Sequence, residues 1–133
     1  MNESLVAQGQ VRFVWHDLAF LGQESVWAAE AAQCAAEQGQ FWAYHDKLFE
    51  EQGPENSGAF DKPNLRRFAA DLGLDTGRFD ACLAADRELA KVRQEAQEAR
   101  EQGIVSTPTL LVNGRVFRGV PSFAQLYQLI ENA

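Results

Sequence analysis

The sequence is short of cysteine, proline and basic residues, and it has no long apolar run. Its two cysteines stand far apart in a chain of 133 residues. That spacing excludes a cysteine-rich zinc module and any C-x-x-C redox motif within the chain. With only four prolines and 46 % hydrophobic residues, the composition is neither disordered nor fibrous. Lys and Arg number 12 against 19 Asp and Glu, a net charge of −7. With no clustered basic stripe, this balance argues against nucleic-acid binding and against an anionic membrane surface. Apolar pieces such as Val26-Trp27-Ala28-Ala29 fall well short of the roughly 18 residues a spanning helix needs. Met1-Asn2-Glu3-Ser4 has no basic n-region leading into an apolar stretch, so no signal peptide is visible.

What is present reads as one domain over residues 1–133. Val11-Arg12-Phe13-Val14-Trp15 is β-branched and aromatic, with Val11, Phe13 and Trp15 on one side. It predicts a strand buried mostly on both faces. From Glu24 to about Gln102 the pattern is helical. Ser25 to Gln38 is alanine-rich, with Trp27, Ala31, Cys34 and Ala35 on one face and Gly39 as its stop. Phe41 to Gln52 carries a Phe41, Tyr44, Leu48 stripe. Asp61 caps a helix through Leu72, and Asp75 or Thr76 caps a short helix that buries Phe79, Cys82 and Leu83. A charged helix from about Arg87 to Gln102 shows the narrow stripe of a surface helix.

The end of the chain changes period. Thr109-Leu110-Leu111-Val112, Asn113-Gly114 and Arg115-Val116-Phe117-Arg118 form a hairpin pattern, because Asn-Gly supplies the positive φ angles of a type I′ turn. Ser122 and Gln125 make a capping-box pair for a last helix carrying Phe123, Leu126, Tyr127 and Ile130. The expected order is strand, four or five helices, strand, strand, helix. Thr107-Pro108 sits at the entry to the hairpin, where a proline belongs because it donates nothing to the ladder.

The run from Gln38 through Phe41-Trp42-Ala43-Tyr44-His45 to Glu50, together with Gly103 to Gly114 around Thr107-Pro108-Thr109, resembles the DsbA-like thioredoxin-fold family. Ala32-Gln33-Cys34-Ala35 and Phe79-Asp80-Ala81-Cys82-Leu83 resemble the branch with a helical insertion and a second cysteine pair. The resemblance runs from about Val11 to Ile130. It implies an α/β thioredoxin-like fold with an α-helical insertion at about 24–102 and a C-terminal hairpin plus helix at about 108–132. It implies thiol-disulfide oxidoreductase ancestry and a cis-proline substrate loop of Ser106, Thr107 and Pro108, in which Thr107 pairs with substrate peptide. The catalytic C-x-x-C of the family has no counterpart here. The first strand and the start of the first helix are expected to be missing, with Leu5 to Gln10 as that helix's last turn.

No catalytic residue, metal or cofactor is assigned. Three readings of Cys34 and Cys82 stand side by side: a redox pair, a structural disulfide within the insertion, and two reduced core thiols. The resemblance favours the disulfide. Cys34 reads as mid-helix and Cys82 as inner-face, surroundings that raise a thiol pKa and make it inert. A zinc site from Cys34, Cys82, His16 and His45 lacks any close ligand spacing. His45 beside Asp46 has the chemistry of a general base but no nucleophile in view, so a packed histidine is the simpler reading.

A missing first strand would leave the Val11–Trp15 and Thr109–Val112 strands facing a gap. The two could close on each other, a second copy could pair through the exposed edges as a homodimer, or the chain could be a fragment of a longer parent. Three functions follow: an oxidoreductase-family member without redox activity of its own, a catalytically dead peptide-binding module, and a glutathione-linked isomerase or transferase relative. The partners implied are polypeptide substrates or a redox partner protein. The family works mostly outside the cytoplasm, while localisation of this chain stays open.

Overall fold

The computed structural model describes residues 5–19 and 22–131. Two compact units emerge, one of Asp17–Glu98, the other of residues up to His16 together with those from Ala99 onward. The first is helical throughout its regular structure.

The helical unit holds α1 (Gln23–Ala36), α2 (Phe41–Glu50), α3 (Lys62–Asp71), α4 (Thr76–Ala84) and most of α5 (Leu89–Glu101). The small residues Ala31, Ala32 and Ala35 let neighbouring helices approach α1 closely, and around them pack Tyr44, Leu65, Phe68, Phe79 and Leu83. Each of these large side chains contributes roughly 1.5–3 kcal/mol by leaving water. Tyr44 carries a hydroxyl into this core, and the cost of burying it is met by donation to the Leu65 carbonyl at 2.9 Å.

Local chemistry sets the helix ends. Asp61 accepts the Asn64 N–H at 3.1 Å, with Pro63 in the first turn of α3. Asp75 accepts the Arg78 N–H at 3.1 Å and starts α4. α1 stops at Gly39, whose φ of 71° lets the N–H groups of Gly39 and Gln40 return to the carbonyls of Ala36 and Ala35. Gly22 precedes α1 at φ 109°, a backbone conformation that side chains with a Cβ rarely adopt, which favours glycine there.

In the other unit β1 (Thr109–Val112) pairs antiparallel with β2 (Arg115–Arg118), in the register Thr109 to Arg118 and Val112 to Arg115. Asn113 and Gly114 have φ of 48° and 86°, as the two-residue turn requires. α6 (Phe123–Glu131) follows, closed at its start by reciprocal bonds between Ser122 and Gln125. Between Leu5 and Gln10 the chain makes a tight turn: the Gly9 and Gln10 N–H groups donate to the Val6 and Leu5 carbonyls, with Gly9 at φ 74°.

The expected strand at Val11–Trp15 is corrected. Among the described residues the sheet consists of β1 and β2, and 11–19 is not a strand. Val14 is 53 % and Trp15 36 % exposed, so the segment is not buried on both faces. β-propensity expresses a fit to a neighbouring strand and to packing, and it makes no strand by itself.

Candidate functional site

The Ser106-Thr107-Pro108 turn enters β1 with all three residues exposed, and the Thr107–Pro108 peptide bond is cis. Two bonds fix it. The Thr109 hydroxyl donates to the Ser106 carbonyl at 2.7 Å. The Gly119 N–H donates to the Pro108 carbonyl at 2.9 Å, which extends the hairpin ladder by one step. Thr107 lies between these tied carbonyls, and neither bond uses its main chain.

The two cysteines form a disulfide in the helical unit, with Cα atoms 5.9 Å apart and a sequence separation of 48. Both are 1 % exposed. Cys34 lies in the last turn of α1 rather than mid-helix. Glu37, the residue that ends α1, places Oε2 3.0 Å from Cys82 Sγ. Its other oxygen accepts from Arg87 Nη1 at 2.8 Å. Glu88 lies against this group, and its carboxyl is raised above the ordinary range by burial first and by the Glu37 carboxylate second. Sequence reading did not single out Glu37. The signal was there as a Cys-x-x-Glu spacing at a helix end, which puts both side chains on one face.

The remaining candidates fall elsewhere. His45 Nδ1 lies 3.0 Å from Asp46 Oδ1, and its ring packs edge-on to Trp42 at 5.2 Å and against Phe49 at 4.9 Å. His16 is exposed in the other unit. Among the described residues the group with metal-ligand spacing is Cys34, Glu37 and Cys82, so neither histidine joins the cysteines. No helix of the described residues is long and apolar enough to cross a membrane.

A family model described as thioredoxin matches residues 1–132. The chain belongs to the thioredoxin family. Its fold is that of the DsbA-like members. The thiol-disulfide exchange protein alpha-DsbA2 of Wolbachia pipientis superposes with a TM-score of 0.82 at 19 % identity, over 98 % of this chain and 69 % of that one. A thioredoxin-like oxidoreductase of Silicibacter pomeroyi gives 0.78 at 27 % identity, over 95 % of this chain and 73 % of that one. The Na(+)/H(+) antiporter NhaA 3 of Salinispora tropica is 37 % identical over 121 residues, 90 % of this DsbA-like chain. The chain spans only 18 % of the length of that curated relative.

Proposed function

We propose that this DsbA-like chain is a peptide-binding domain whose Ser106-Thr107-Pro108 turn holds extended polypeptide, and that it carries out no dithiol turnover of its own. The observation that supports this reading most is the fixed, exposed turn, in which Thr107 is offered while the carbonyls on either side are tied. Main-chain pairing to an exposed turn next to a strand is how extended peptides add to a sheet. The sulfur inventory supports the absence of turnover: both cysteines of the sequence are in the buried disulfide. Attack on a substrate needs an accessible thiolate with a resolving partner.

Two measurements test the proposal. Insulin reduction in the presence of a dithiol should stay at the background rate, and turnover above it would show that Cys34 and Cys82 exchange with substrate. A labelled, carboxymethylated unfolded polypeptide should bind in fluorescence anisotropy. Thr109→Val keeps the strand residue but removes the hydroxyl that ties Ser106. It should weaken binding roughly fivefold, the equivalent of about 1 kcal/mol. Equal binding by parent and variant would remove the turn from the site.

A further inference from the structure

Cys34 and Glu37 stand three residues apart at the end of α1, and Cys82 meets them from α4. The two sulfurs and a Glu37 carboxylate oxygen lie within 4.8 Å of one another. The sulfurs are buried, while the Glu37 side chain is 28 % exposed and so forms the one edge of the group that solvent reaches. We propose that reduction of the Cys34–Cys82 disulfide converts this cluster into a binding site for one thiophilic divalent cation of the zinc type, with both thiolates and Glu37 as ligands and water in the fourth position.

The chemistry balances with a dithiol as reductant. Its two thiols give two electrons to the Cys34–Cys82 bond, which breaks, and they form a disulfide of their own. Their two protons pass to the Cys34 and Cys82 sulfurs. The cation then displaces both protons to solvent as two metal–sulfur bonds form. Bonds of about 2.3 Å at a tetrahedral angle set the sulfurs about 3.8 Å apart. Cα atoms 5.9 Å apart accommodate that separation by side-chain rotation. Two thiolates and a carboxylate exceed a divalent charge by one, and Arg87, already 2.8 Å from Glu37, offsets the excess. Calcium and magnesium are excluded by the donor set, since each takes oxygen ligands in six-fold or higher coordination. The cysteine pair thereby has, apart from any peptide binding, a second, metal-loaded state that depends on redox conditions.

Cobalt(II) is the probe. Protein reduced with a trialkylphosphine and desalted under nitrogen should bind one equivalent, with sulfur-to-cobalt charge-transfer absorption that zinc abolishes. The oxidised protein should show none. Glu37→Gln should weaken cobalt binding roughly tenfold or more. If reduction costs the chain its helical circular dichroism, zinc should restore it. Absent charge-transfer bands, equal affinity in Glu37→Gln, or a reduced chain that zinc leaves unfolded would each overturn the proposal.

Discussion

Glu30 is a carboxyl group set into the interior of α1, 1 % exposed, and neither of its oxygens accepts a hydrogen bond among the described residues. Burial raises its pKa from 4.5 to about 7, the Asp86 carboxylate pushes in the same direction, and Lys62 and Arg93 pull against both. Between pH 4.5 and about 7 the folded chain keeps a proton that the unfolded chain has released. Stability therefore falls as pH rises through that window, and the loss is complete above it. The shift corresponds to about 3 kcal/mol as a ceiling. Urea midpoints should drop from pH 5 to pH 8, and Glu30→Gln should flatten most of that drop and raise stability at pH 8. Glu88 is shifted in the same sense. A slope that survives Glu30→Gln and disappears in Glu88→Gln would therefore move the effect from one carboxyl to the other.

Helix ends were legible in the sequence because their chemistry is local. Asp61 with Pro63, Asp75, Gly39 and the Ser122–Gln125 pair act within four residues of themselves, and all do so in the structure. The same holds for Asn113-Gly114 between β1 and β2. Val11–Trp15 was misread for the opposite reason: a strand depends on what lies beside it, and side-chain preference within five residues does not record that. Glu37 escaped notice because its meeting with Cys82 spans 45 residues and depends on α1 packing against α4. The reciprocal pairing of the Gln38 side chain with the Asp75 main chain, at 2.9 and 3.1 Å, is likewise visible only once those helices are in place. A local device should fail locally. Asp61→Ala removes the acceptor for the Asn64 N–H at the start of α3 and should cost about 1 kcal/mol in urea unfolding. Asp61→Asn keeps a cap oxygen and should cost little, and equal losses in the two variants would refute capping as the cause.

The whole chain carries its stabilising crosslink in the helical unit, where the disulfide closes a loop of 48 residues by joining α1 to α4. Its contribution depends on what it denies the unfolded chain. A closed loop of that length removes conformational freedom equivalent to about 4 kcal/mol at room temperature. The surrounding core is modest in size, with alanine supplying much of α1's buried face, so a loss of that magnitude is a large part of what such a unit holds. The Cys34→Ala, Cys82→Ala double variant should keep its helical circular dichroism at low temperature. It should melt on the order of 20 °C below the oxidised parent. The reduced parent without added metal should melt near the double variant, since both lack the crosslink and keep small side chains at the two positions. An unchanged melting temperature in both would mean that the bond does not hold the helices together. It would then be free to serve exchange chemistry, which the insulin assay would detect.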